Sequence, residues 1–274
     1  MSGQIIKIIS NQYTVKIGSE IVICQARGKF RNDKITPVVG DYCLVDFDSK
    51  VIIEILPRKN ILSRPPVANI DVCIVVTSIK EPNLSLNLLD KLISLINYNN
   101  IEPVICFTKL DLMSGKEKYE IKKITKYYQK IGYKVFSNKQ IKKLKKYLKN
   151  KTVALTGQTG AGKSSLLNRI DSSLNLIEGE ISKALGRGKH TTRHVELFFT
   201  NQFLIVDTPG FSALDLNLNW EELKATFIEF NNYHCPFKNC RHINETECQV
   251  KKAVKNGKIM QSRYDNYLKF GGER

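Results

Sequence analysis

Apolar and polar positions divide the chain into stretches with different periods. Over residues 1–63 they form short alternating or apolar runs at 5–9, 13–17, 21–25, 41–47 and 51–56. A period of two marks strands with one buried face. Five such strands, with a polar loop at 28–36 between the third and fourth, predict a small OB-like β-barrel. Residues 58–66 read as a linker. From 67 to 225 apolar runs at 72–76, 104–107, 134–136, 153–155, 195–199 and 204–206 alternate with helical patterns near 86–98, 117–131 and 139–149. That alternation predicts an α/β domain whose last two strands form an antiparallel edge pair. The third stretch, 226–274, holds a Cys/His cluster and a basic helical tail. The fold class is therefore multidomain: OB-like barrel, central α/β domain, C-terminal metal knuckle with helices.

The α/β stretch carries the most specific chemistry. Gly157-Gln158-Thr159-Gly160-Ala161-Gly162-Lys163-Ser164 fits the phosphate-loop pattern, and it lies between an apolar run at 153–155 and a helical pattern with Leu166, Leu167 and Ile170. Strand, loop and helix in that order give the pattern its mechanism: backbone N–H groups close around a polyphosphate at a positive helix end. Lys163 reaches the β- and γ-phosphates, and the Ser164 hydroxyl ligates magnesium.

A second motif selects the nucleotide. Thr108-Lys109-Leu110-Asp111 follows the apolar run ending at Phe107. Guanine presents two adjacent donors, and an ionised carboxylate at Asp111 accepts both. Adenine offers a lone pair at the same place, so the carboxylate rejects it. Ser137, at the end of the next strand, offers a backbone N–H to the guanine carbonyl; Ser-Asn-Lys there is also an ordinary turn. A third motif, Asp207-Thr208-Pro209-Gly210, ends the run at 203–206. Asp207 is placed to hold magnesium and the Gly210 N–H to meet a γ-phosphate. Between phosphate loop and this strand lies GRGKHTT, residues 186–192, a basic loop whose Thr191 or Thr192 caps magnesium. Many GTPases place Gln after the third motif to orient water. Phe211 stands there and cannot, which predicts slow intrinsic hydrolysis. His190 is the local candidate for water positioning, with a solvent-exposed loop imidazole as the equal alternative; Arg187 and Arg193 are candidates for transition-state charge.

The motif order is unusual. The base-reading TKLD precedes the phosphate loop and DTPG comes last, which is a circular permutation. The chain consequently runs from Gly210 directly towards Cys235, Cys240, His242 and Cys248. Their spacing, C-x4-C-x-H-x5-C, suits one closed tetrahedral structural zinc per chain. A disulfide is disfavoured because nothing suggests secretion. Cys24, Cys43, Cys73 and Cys106 lie in apolar runs and read as small buried hydrophobes.

Net charge is +17, with 43 basic and 26 acidic residues. That argues for a polyanionic partner, and beside these motifs RNA is the expected one. Part of the excess also fits a Lys-, Asn- and Ile-rich composition. Lys29, Arg31 and Lys34 in the barrel loop are candidate phosphate contacts. The lysines of 139–151 read as the solvated face of a helix whose Ile141, Leu144 and Leu148 pack on the sheet, with RNA contact as the alternative. No apolar run reaches spanning length, and the first residues lack a signal-peptide core, so a soluble cytoplasmic protein without membrane contact is expected.

Permuted GTPase motifs, a preceding barrel and a trailing Cys3His knuckle together resemble the RsgA family of bacterial small-ribosomal-subunit biogenesis GTPases. GRGKHTT and DTPGF match that family's own wording, and the resemblance covers essentially the whole chain. It places phosphate-loop positions at Gly157, Gly160, Gly162, Lys163, Ser164 and Ser165, and the base motif at Thr108, Lys109 and Asp111, where Thr108 stands in place of the commoner Asn. The periodicities set domains at 1–63, 67–225 and 226–274, and a monomer binding GTP or GDP with Mg2+ is expected. The resemblance also implies the small ribosomal subunit and its rRNA as partners, with hydrolysis stimulated by the subunit and coupled to release. A GTP-dependent RNA clamp with incidental hydrolysis shares every motif. A P-loop NTPase acting elsewhere, for example in metal delivery, is disfavoured by the permutation and the barrel.

Overall fold

The structure, a computed structural model, describes residues 1–26, 30, 36–63, 66–174, 196–200, 202–206 and 216–272. The chain divides into two compact units. One comprises Met1–Cys73, Lys142–Leu155 and Ser164–Phe211; the other comprises Ile74–Ile141, Thr156–Lys163 and Ser212–Arg274.

The expected barrel is present. Strands β1 (Ser2–Ile9), β2 (Gln12–Ile17), β3 (Glu20–Ala26), β4 (Tyr42–Asp46) and β5 (Val51–Ile55) close in the order β1-β2-β3-β5-β4. β1 meets β4 antiparallel, and β3 meets β5 parallel at Gln25–Val51 and Ala26–Ile52. Alternation puts Ile5, Val15, Cys24, Cys43, Val45 and Ile52 inside, all buried, which settles two of the four isolated cysteines as core residues. Burial pushes the Cys43 thiol up to about 12, so it stays neutral and packs as an apolar group.

The stretch read as a linker is not one. It forms a hairpin, β6 (Ile61–Ser63) against β7 (Pro66–Ala68). Arg58 Nε and Nη2 donate to the two oxygens of the buried Asp41 carboxylate at 2.7 and 2.8 Å. Asn60 exchanges hydrogen bonds with the backbone of Ile70, at 2.7 and 2.9 Å. Charged and amide groups that look solvated in the sequence are instead partnered, and they hold the segment in place.

The α/β part follows the predicted order: β8 (Val72–Ser78), α1 (Leu86–Tyr98), β9 (Glu102–Thr108), α2 (Gly115–Lys130), β10 (Lys134–Ser137), α3 (Ile141–Leu148), β11 (Thr152–Thr156), α4 (Lys163–Ile170), β12 (Leu197–Phe199) and β13 (Leu204–Val206). The sheet order is β10-β9-β8-β11-β13-β12, with β12 antiparallel to β13 as expected. Ser85 caps α1 by accepting from the Leu88 N–H, and Leu89, Leu92, Ile93 and Ile96 form its buried stripe. In α2, Ser114 and Glu117 form a reciprocal capping box. α3 buries Leu144 and Leu148 and leaves Lys142, Lys143 and Lys146 in solvent.

Helices α5 (Trp220–Thr226), α6 (Gln249–Lys255) and α7 (Gln261–Gly272) complete the second unit. Phe227, Phe230 and Tyr267 pack ring on ring at 5.0–5.3 Å between centroids. Beside them lies a fully buried ion cluster. Arg263 donates to Asp90 of α1 through Nη1 and to Glu229 through Nε, both at 2.7 Å. Tyr128 and Asn266 add hydrogen bonds to the Asp90 carboxylate at 2.6 Å each. Among the described residues, no helix is long and apolar enough to cross a membrane.

Candidate nucleotide site and metal cluster

The loop between β11 and α4 is shaped by its glycines. Gly157, Gly160 and Gly162 have φ of 136°, 78° and 87°, a region L side chains rarely adopt. At Gly157 space forbids any other residue as well, since a Cβ there would lie 2.1 Å from the Val76 carbonyl oxygen. Gln158, Thr159 and Gly160 form the exposed crest, and Ala161 and Ser164 are buried. Lys163 arches over the loop, its Nζ donating to the carbonyls of Gly157 and Gln158 at 2.8 and 2.9 Å. Burial lowers its pKa.

The base motif lies in the same compact unit. Thr108 ends β9 almost fully buried, and its hydroxyl donates to the Ala161 carbonyl at 2.7 Å. TKLD is thus tied directly to the phosphate loop. Thr108, which stands where Asn is commoner, gives its hydroxyl to the loop. Lys109 takes a left-handed conformation, φ 57°, and its Nζ donates to the Glu81 carbonyl. Asp111 sits exposed in a short 3-10 turn, Leu110–Leu112, where its carboxylate is open to a ligand. The Ser137 N–H, expected to face a guanine carbonyl, donates to Gln140 Oε1 at 3.0 Å. Gln140 was not legible as a competitor, because the reach of a side chain across a turn leaves no pattern.

The remaining proposed positions, His190, Thr191, Thr192, Asp207 and Gly210, lie outside the described residues, as do Phe211 and the transition-state candidates Arg187 and Arg193. The barrel-loop cations Lys29, Arg31 and Lys34 lie outside them too.

The four residues of the C-x4-C-x-H-x5-C motif do come together. One ligand atom from each of Cys235, Cys240, His242 and Cys248 lies within 4.8 Å of the others. His242 Nδ1 is 3.6, 3.3 and 3.2 Å from the sulfurs of Cys235, Cys240 and Cys248, and Cys235 Sγ is 3.8 Å from Cys248 Sγ. A tetrahedral zinc with ordinary bond lengths needs S···S near 3.8 Å and S···N near 3.6 Å, about what the cluster shows. His242 reaches inward from a left-handed backbone, φ 62°. Burial first, and Lys224 second, lower His242 to about 4 against the opposing Glu245, so its ring is neutral and free to ligate. Burial raises the Cys240 thiol to about 12, which leaves it protonated until a cation takes it. Backbone N–H groups of Gln249 and Lys251 point at Cys235 and Cys248 sulfurs, at 3.3 and 3.4 Å. Tyr264 and Tyr267 of α7 donate to the His242 and Arg241 carbonyls, each at 2.6 Å, and fix the knuckle to the helix. These donor types and distances fit a single metal ion.

The chain matches the RsgA GTPase family over residues 55–217 and the RsgA N-terminal domain over residues 2–51. It is 47% identical to the small ribosomal subunit biogenesis GTPase RsgA of Latilactobacillus sakei, covering 99% of this chain and 95% of that one. The protein of that name from Enterococcus faecalis is 46% identical, with 98% and 94% covered. Among solved structures, YjeQ from Thermotoga maritima superposes with a TM-score of 0.85 at 35% identity, covering 100% of this chain and 99% of that one. YloQ, described as a circularly permuted GTPase, gives 0.84 at 37% identity, with 99% and 94% covered.

Proposed function

This chain belongs to the RsgA GTPase family, and from that premise we propose that it is a GTP-hydrolysing factor for late maturation of the small ribosomal subunit. It works in the cytoplasm as a monomer, binds the subunit through its rRNA, and is released when the subunit stimulates hydrolysis. Its working parts are a barrel at 1–63, a permuted GTPase domain at 67–225 and a zinc domain at 226–274.

The observation that carries the reading is the Thr108 hydroxyl on the Ala161 carbonyl. It sets a base-reading strand end beside a phosphate loop, with an exposed carboxylate at Asp111. In this reading the residues from Gly157 to Ser165 cradle the phosphates, and Asp111 accepts both guanine donors. Ser164 and Asp207 hold Mg2+, which neutralises charge on the β- and γ-phosphates. The Gly210 N–H and Thr191 or Thr192 sense the γ-phosphate, and His190 is the candidate for orienting water. Phe211 contributes no hydrogen bond to that water, so the subunit's stimulation is integral to turnover. Cys235, Cys240, His242 and Cys248 hold one structural zinc, for which the ligand distances and the neutral imidazole are the support.

GTP turnover, measured with and without purified small subunits at matched salt, tests the proposal. Turnover should rise at least about tenfold with subunits, a small part of the span known for assisted GTPases. Unchanged turnover makes the protein a constitutive RNA binder carrying a slow GTPase. Asp111→Asn places a donor against a donor and should weaken GTP by about a hundredfold or more. Equal GTP affinity in variant and parent removes the base assignment.

A further inference from the structure

Within the first compact unit, a cleft of about 510 Å³ opens between the barrel and the α3–β11 connection with the β12–β13 hairpin. Two contacts border it. Lys7 of β1 pairs with Glu196, just before β12, at 2.7 Å. The Asn150 N–H donates to the Gln202 carbonyl at 2.8 Å. The volume lies in the ordinary range for a small-ligand site.

The lining has a definite chemistry. Two aromatic rings stand open in it, Tyr42 at 43% and Phe199 at 40% exposure. Lys16, Lys149 and Lys151 share the lining, and among the described residues none in the lining carries a carboxylate. The ammonium of Lys16 lies 5.2 Å from the Phe199 ring centroid, and that of Lys151 lies 4.1 Å from the Tyr147 ring. The nearby carboxylate of Asp71 is engaged by Lys59 at 2.9 Å and by the Thr152 N–H at 2.8 Å. The surrounding chain deepens the bias: residues 121–170 contain fourteen Lys or Arg and no Asp or Glu.

Open rings offer stacking faces, and lysines among them offer phosphate contacts. That pairing is how proteins hold unpaired nucleotides. A duplex hides its base faces in the stack, so it gains only the charge term. We propose that this cleft binds single-stranded RNA, with bases stacked on Tyr42 and Phe199 and phosphates on Lys16, Lys149 and Lys151. The contact deepens the ribosomal reading and rests on it for the source of the strand, an unpaired segment of the small-subunit RNA. The cleft's lining shares no residue with the phosphate loop or the base motif.

The test uses the full-length protein and a fluorescein-labelled oligouridine of about eight nucleotides, within the site sizes known for such grooves. Anisotropy titrations compare it with an RNA hairpin of equal phosphate number. Tyr42→Ala and Phe199→Ala should each weaken the single strand about tenfold or more and leave the hairpin unchanged. Phe199→Leu keeps an apolar side chain on β12 and should lose binding nearly as much, which separates stacking from folding. GTP affinity equal to the parent's confirms that each variant is folded. Lys149→Gln should reduce the salt slope of oligouridine binding by about one. Oligouridine binding that is unmoved by both aromatic variants overturns the inference. So does equal displacement by polyglutamate of matched charge, which makes the cleft a general anion surface. The two readings fail separately. Subunit-stimulated turnover with oligouridine binding unmoved by the variants removes this inference alone; variant-sensitive oligouridine binding without stimulation removes the ribosomal function alone.

Discussion

In the phosphate loop the backbone makes the shape: three glycines at positive φ, a carbonyl 2.1 Å from where a Gly157 Cβ would stand, and one threonine hydroxyl holding the loop to β9 at Ala161. In the Cys3His knuckle side chains make it, with four ligand atoms inside 4.8 Å and two tyrosines pinning the backbone from α7. The first holds its shape through bonds the chain makes with itself. The second brings three thiols and an imidazole within ligand distance of one another, an arrangement that fits a single cation. A backbone site stands without its ligand; a side-chain site of this kind folds with it.

The largest expected effect breaks the second half of that comparison. Cys240→Ser should lower the metal content from about one zinc per chain to a small fraction, since a structural site loses affinity with each ligand. The C-terminal helices should then melt separately, with zinc coupling of order 10 kcal/mol at stake, while GTP binding largely survives. Metal analysis and calorimetry check both. A retained, tightly held metal, or collapse of GTP binding together with the helices, removes the contrast.

Arg263→Met comes next. It leaves Asp90 and Glu229 buried without their counter-ion, and breaking a buried pair costs about 3–5 kcal/mol. Denaturant unfolding should show that loss with an unchanged slope. A change under about 1 kcal/mol contradicts the packing described for α1 and α7.

Thr108→Val sharpens the first half. It keeps the side-chain volume and removes the donor to Ala161, a net hydrogen-bond contribution of about 1 kcal/mol. GTP affinity should fall roughly fivefold, with preference over ATP kept because Asp111 is intact. Loss of that preference returns Thr108 to a direct role at the base.

The smallest effect lies at the start of α2. The Ser114 backbone N–H, then its hydroxyl and Lys80, hold the Glu117 carboxyl down at about 2. Its unfolded value is near the ordinary ~4.3. The capping box therefore stabilises above that value and is lost as pH falls towards 2. Cα chemical shifts of residues 115–118 should move towards coil over that interval, and Glu117→Gln should flatten the dependence. A pH-independent first turn dismisses the carboxylate as its lock.

The pattern of success follows how local each signal is. The bounds of α1 were readable, Leu86–Tyr98, because a capping serine and a buried stripe lie within the helix itself. Five barrel strands were readable from alternation, and the knuckle from spacing. The β6–β7 hairpin was hidden because its strands are three residues each and prolines interrupt them. The contacts that hold it, Arg58 on Asp41 and Asn60 on Ile70, are ones no period records. Thr108 was recognised as a motif position, yet the direction of its hydroxyl depends on where Ala161 lies in space. The Arg263 cluster left no trace at all, since its partners sit in three elements far apart along the chain.

That separation has a consequence during synthesis. Asp90 and Arg263 are 173 residues apart. At about 5–20 residues per second, roughly 9–35 s pass between the two being joined to the chain. Throughout that interval α1 exists without its counter-ion, and its Asp90 end must stay hydrated. The apolar face of α1 can dock on the sheet early, but closure over Asp90 waits for α7. The ion cluster of the second unit therefore cannot be completed until α7 has been synthesised.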